Sequence, residues 1–164
     1  MKDYGYNNLS GIDYSTEMIN RAKSENPVAK YDTNDGYCIP FAAKSFNAVT
    51  LLAVLTCIPS SQDQKALFVE LDRVLSDDGI IYISDFLLNN DERNKLRYSK
   101  YETKFQCYGA FELDEGVTLR HHSKEWFHEL FHSFTILWQE DFHVLSMNGN
   151  SAISTRIILK KKAL

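Results

Sequence analysis

At 164 residues and 44% hydrophobic, the chain is long enough to bury one sizeable core. Its net charge of −4 argues against the basic stripe that nucleic-acid binders carry. Three widely spaced cysteines, Cys38, Cys57 and Cys107, argue against a disulfide framework or a zinc knuckle.

The first eight residues lack the apolar core of a signal peptide, and no apolar run approaches the ~20 residues that cross a bilayer. A cytoplasmic setting is therefore expected, with no membrane partner. Leu9 to Ile12 reads as a short first strand, ending at the acidic Asp13. Ser15 can cap the helix that follows, Glu17 suits its first turn, and Met18, Ile19 and Ala22 give it an apolar face. Pro27 stops that helix near Asn26, because the residue before a proline avoids helical geometry. Val28 to Tyr31 is a second strand, and residues 32–36 are turn-rich.

Ala48 to Leu55 is almost unbroken apolar sequence, which predicts a strand buried on both faces of a parallel sheet. A helix begins near Pro59-Ser60-Ser61. Leu67, Leu71, Val74 and Leu75 form its apolar face, and Asp77-Asp78-Gly79 ends it. Ile80 to Ser84 is the next strand, completing a βαβ alternation. Asn89 to Arg97 is read as a helix, followed by an aromatic-rich stretch to Gly116. Ser123 caps a further helix bearing Trp126, Phe127, Leu130 and Phe131. Two closing strands, about 134–147 and 152–160, flank Asn148-Gly149-Asn150, a strong hairpin signal. The Lys160 to Lys162 run reads as a solvated end. With no repeat, linker or low-complexity tract, one domain over residues 1–164 is expected.

Three blocks of residues resemble class I S-adenosylmethionine-dependent methyltransferases, most closely the branch that methylates small molecules. They are Gly11-Ile12-Asp13-Tyr14-Ser15 with Met18-Ile19 and Ala22; Asp35-Gly36 with Ile39-Pro40-Phe41, Ser45-Phe46-Asn47 and Val49; and Glu70-Leu71, Arg73-Val74-Leu75, Gly79 and Tyr82-Ile83-Ser84-Asp85. The resemblance implies an α/β, Rossmann-like sheet, mostly parallel, with an antiparallel C-terminal hairpin. It implies S-adenosylmethionine as cofactor and a small molecule as methyl acceptor.

Carried over by position, Asp13 matches the acid that holds the ribose, and a carboxylate can accept two adjacent hydroxyl protons. Tyr14 would lie against the adenine, Asp35-Gly36 would read its edge, and Leu52 is a further cofactor contact. Tyr98, Tyr101, His121 and His122 are substrate-side candidates. Asn47 stands where the family usually has aspartate, and Thr56-Cys57 replaces a frequent histidine-containing segment. No general base is carried over; in-line methyl transfer gains much of its rate from positioning.

The family's first strand and its Gly-x-Gly turn are not found in this sequence. The expectation is therefore an N-terminally incomplete domain lacking the usual first strand, with a gap between the strand ending at Asp13 and the strand 48–55. Such a gap exposes backbone edges. Either the flanking strands close it, a second copy or a partner chain fills it, or the sheet stays partly open. A non-catalytic module completed by a partner chain is the alternative function.

One motif competes. His128-Glu129-Leu130-Phe131-His132 is a literal H-E-x-x-H, which on a helix puts two zinc ligands on one face beside a catalytic glutamate. The longer metzincin pattern fails, with Thr135 for glycine and Trp138 for the third histidine, so a zinc peptidase ranks below the methyltransferase.

Overall fold

The protein is represented by a computed structural model that describes residues 5–34, 38–145 and 149–162. The chain divides into two compact units, Met1–Phe41 and Ala42–Leu164.

The first unit is a strand-helix-strand. Strand β1 (Ser10–Asp13) pairs in parallel with β2 (Lys30–Thr33), and helix α1 (Thr16–Glu25) connects them. The Ser15 hydroxyl accepts from the Met18 N–H, and the cap ends at Asn26, as its position before Pro27 requires. Gly11 has a packing reason to be glycine. A Cβ there would lie 2.8 Å from the Tyr31 ring.

The second unit is built on a four-stranded sheet in the order β3-β4-β8-β7: β3 (Phe46–Leu52), β4 (Leu75–Phe86), β8 (Ser151–Lys161) and β7 (Phe134–Leu145). β3 and β4 run parallel; β4–β8 and β7–β8 are antiparallel. The hairpin is as expected, although Asn148 lies outside the described residues. The strand directions are also as expected: β3, β4 and β7 run one way, β1 and β2 are parallel to each other, and β8 alone is reversed in its sheet, inserted between β4 and β7.

Helix α2 (Ser61–Val74) carries the predicted apolar face, with Leu67, Leu71, Val74 and the following Leu75 all buried. It stops at Val74, earlier than the Asp77-Asp78-Gly79 turn suggested, and leads directly into β4. The turn sits instead in an irregularity of the ladder, where pairing jumps from Phe46↔Leu75 to Ala48↔Ile80. Gly79 permits this bend; a Cβ would come within 2.8–2.9 Å of the Leu75 side chain and the Ser76 carbonyl.

The two sheet faces differ. Ile81, Ile83, Ile157 and Leu159 are fully buried on one, beneath α2 and α4 (Lys124–Leu130). Phe68 of α2 meets Phe131 and Phe134 at ring separations of 5.1 and 5.8 Å. Each such side chain contributes about 1.5–3 kcal/mol by leaving water. On the other face Leu52 is 63% and Trp138 42% exposed, while Tyr82, Ser84 and Phe86 are half-buried. In β3 only Leu51 is buried, so the expectation of a strand covered on both faces fails. Its apolar run fits an edge strand with one packed face, whose ladder neighbour among the described residues is β4.

Helix α3 (Glu92–Phe105), capped by Asp91, begins later and runs further than the sequence suggested. It packs on a small hairpin, β5 (Ala110–Glu112) with β6 (Thr118–Arg120), that hydrophobic patterning did not reveal. Three-residue strands are too short to show alternation.

Candidate functional site

In the first unit, Asp13 stands at the carboxyl end of β1, the end at which parallel α/β sheets place ligands. One carboxylate oxygen accepts the Ser15 N–H at 2.8 Å. The other has no partner among the described residues, and the side chain is exposed. A carboxylate held by one backbone bond with its second oxygen open fits a pair of ribose hydroxyls. Neighbouring Tyr14 is 79% exposed, offering an uncovered ring for a nucleobase. Asp35 and Gly36, expected to read the adenine edge, lie outside the described residues.

In the second unit, Leu52 ends β3 on the rim of a cavity of about 380 Å³ at the carboxyl ends of β3 and β4. Ala53 follows in the left-handed region, φ +53°, with its N–H on the Ser84 carbonyl at 2.8 Å. Left-handed backbone at a residue with a Cβ is strained, and such strain gathers at ligand sites. Sequence reasoning named Leu52 but missed Ser84, Phe142 and Arg156, which share the cavity. The available signal was Arg156 itself, a lone charge inside the apolar stretch 152–159.

Three substrate-side candidates prove to be core. His122 is 1% exposed, with Nδ1 3.3 Å from the Phe86 carbonyl and Nε2 2.8 Å from the Gln64 amide nitrogen. Nδ1–H therefore donates to Phe86 and Nε2 accepts from Gln64, which fixes a neutral tautomer. The two protons of the same Gln64 amide are shared among three acceptors, His122 Nε2 and the Leu55 and Ile58 carbonyls, and its oxygen accepts from the Trp126 indole. Tyr98 is fully buried. It accepts the Asn89 N–H at 3.3 Å and so donates its proton to Nδ1 of His121, 2.7 Å away. Burial pushes both histidines down to about 3; cations deepen the shift, at His121 Arg97 and Arg93, at His122 Arg120. Tyr101, by contrast, lies half-buried against Phe105 on α3. The direct substrate contact expected of Tyr98 and His122 is thus not available in this arrangement, because their polar atoms are enclosed and bonded to protein.

Asp85, on β4, holds this core together. It accepts from the backbone N–H groups of Leu55, Thr56 and Phe86 at 2.8–3.3 Å, fixing the 3₁₀ turn Leu55–Cys57 to the sheet. Burial raises its carboxyl to about 6, with these hydrogen bonds opposing. His122 Nδ1 lies 3.9 Å from the carboxylate, but the imidazole is neutral near pH 7 and forms no ion pair there.

The zinc motif does not form its helix face. α4 ends at Leu130, His132 folds back on the Glu129 carbonyl, and Glu129 pairs with Lys65 at 2.7 Å. Among the described residues no group of three His, Cys, Asp or Glu side chains could hold a metal.

The comparisons agree with this layout. A methyltransferase-domain family model matches residues 1–83, just over half of the chain. No curated protein matches. Among solved structures, the chain is similar to an S-adenosylmethionine-dependent methyltransferase from Methanosarcina mazei, at 20% identity and TM-score 0.88, covering 96% of this chain and 83% of that one. It is likewise similar to one from Mesorhizobium loti, at 15% identity and TM-score 0.74, covering 98% and 83%. One from Anabaena variabilis matches at 17% identity and TM-score 0.68, covering 98% and 71%. Sequence family and fold therefore point the same way: the chain belongs to the class I S-adenosylmethionine-dependent methyltransferases, with S-adenosylmethionine as the cofactor its family uses.

Proposed function

We propose that the chain transfers a methyl group from S-adenosylmethionine to a small-molecule acceptor. The observation that carries this reading is Asp13, exposed at the end of a parallel strand with one oxygen unengaged. Asp13 would hold the ribose hydroxyls and Tyr14 would cover the adenine. When bound, the cofactor supplies a methyl group on a positively charged sulfur. The residues contribute binding and orientation, which for an in-line displacement can supply much of the rate. Buried His121 and His122 are neutral and bonded, so neither acts as a base from this arrangement. A small acceptor suits the mildly acidic surface better than a nucleic acid does.

The test is formation of S-adenosylhomocysteine on incubation with S-adenosylmethionine and a panel of small acceptors. Acceptor-dependent product supports the reading; a folded chain that yields none with any acceptor opposes it.

The alternative is a module completed by another chain, and the second edge of β3 favours it. That edge has no ladder partner among the described residues, and a strand from a second copy or a partner would satisfy it. Light scattering of the purified chain distinguishes the cases. A dimer mass supports completion by a second copy, and a strict monomer argues against it.

A further inference from the structure

We propose that the cavity at the carboxyl ends of β3 and β4 binds the acceptor, and that the acceptor is a ring compound bearing one carboxylate. This deepens, and rests on, the methyltransferase reading.

Two observations meet there. The depression there is open to solvent, with about 380 Å³ of accessible space, and its apolar wall is formed by Leu52, Phe86 and Phe142. Beside it stands an unmatched cation. Arg156 is exposed, its guanidinium lies 4.0 Å from the Phe142 ring centroid, and it makes no ion pair among the described residues. Glu140 sits directly across the ladder from it, yet the two are not within ion-pair distance. Elsewhere on the sheet the basic side chains are matched: Lys160 reaches Asp78 at 3.0 Å and Lys161 reaches Asp72 at 3.4 Å.

Contact with the Phe142 ring anchors the guanidinium, and a guanidinium without an ionic partner can recognise a planar carboxylate through two parallel hydrogen bonds. A single cation in an otherwise apolar cavity matches one negative charge, a carboxylate rather than a phosphate dianion. The apolar wall matches a ring, and Ser84 is among the residues that line the depression. Ala53, strained at the rim, fixes the turn that shapes the entrance.

The test is an NMR titration of the ¹⁵N-labelled full chain with sodium benzoate, benzamide and benzylamine, with S-adenosylhomocysteine titrated separately. Benzoate is expected to shift the amides of Ala53, Ser84 and Phe86 and to bind at least tenfold tighter than benzamide. Arg156→Gln is expected to weaken benzoate at least tenfold, and Arg156→Lys to recover part of the loss. Because Arg156 is exposed, both variants should retain the wild-type circular dichroism. Equal binding of benzoate and benzamide, or shifts confined to other regions, overturns the proposal. Loss of S-adenosylhomocysteine binding in Arg156→Gln without loss of benzoate also overturns it, assigning the cation to the donor's own carboxylate. If wild type binds benzoate here but never S-adenosylhomocysteine, the carboxylate pocket stands and the methyl-transfer reading falls.

Discussion

Ser84 and Asp85 are adjacent on β4, yet they face two different chemistries. On the Asp85 side, buried polar atoms are bonded in a closed set: three backbone N–H groups on the carboxylate, and Gln64 linking His122 to Trp126. On the Ser84 side, a cavity opens and Arg156 lacks an ionic partner among the described residues. Perturbed titratable groups are often taken as markers of function. Here the strongly perturbed ones, Asp85, His121 and His122, are all buried, and their shifts follow from that burial. The unshielded cation is the better pointer to a ligand.

The contrast can be broken from either side, and the enclosed face should respond most. Asp85→Ala leaves the N–H groups of Leu55, Thr56 and Phe86 without their acceptor, and should destabilise the fold by about 3–5 kcal/mol. Asp85→Asn, which keeps an acceptor oxygen, should cost markedly less in urea denaturation. Equal losses would show that the carboxylate's charge, rather than its hydrogen bonding, organises the turn.

Acid should act on the buried titratable groups. His121 and His122, lowered to about 3 when folded, contribute stability that is full above pH 6.5 and lost as pH falls. Asp85 works in the opposite direction. Raised to about 6, its contribution is full below the ordinary aspartate value of 3.8 and lost as pH rises through 6. Between pH 4 and 6 two histidines oppose one aspartate, so net stability should fall by roughly 4 kcal/mol from pH 7 to pH 4. A variant with both histidines replaced by neutral residues should reverse that slope, if it folds.

The open face should be nearly indifferent in stability. Ala53→Gly relieves the left-handed backbone and should stabilise by less than about 1 kcal/mol, the gain being reduced by glycine's extra freedom when unfolded. Arg156→Gln should change stability by no more than about 0.5 kcal/mol, as exposed substitutions usually do. A thermal melt of each checks this. A large loss in Arg156→Gln would place that residue in the fold's support and blur the distinction between the two faces.

The sequence carried local elements well. Ser15 and Ser123 were legible as caps because capping depends on a hydroxyl at one position, and Ser60 proves to be the cap within the predicted helix start. The α2 face was legible from its spacing. Burial was harder to read, since β3 has the composition of a fully covered strand and lies at an edge. The closed network was hidden because Gln64 and His122 are 58 residues apart. Tyr98 and His121 were read as possible contacts for the same reason: sequence shows their donor groups and not the partners that enclose them. The position of Asp13 was legible because it depends on a short local pattern, a strand end before a capped helix.

The most direct measurement is calorimetric titration of S-adenosylhomocysteine into the wild-type chain and into Asp13→Ala. The predicted result is one-to-one binding to wild type and at least tenfold weaker binding to the variant, about 1.4 kcal/mol or more, with an unchanged melting profile. Equal affinity in the two proteins, or no binding to wild type at millimolar ligand, would contradict the role given to Asp13.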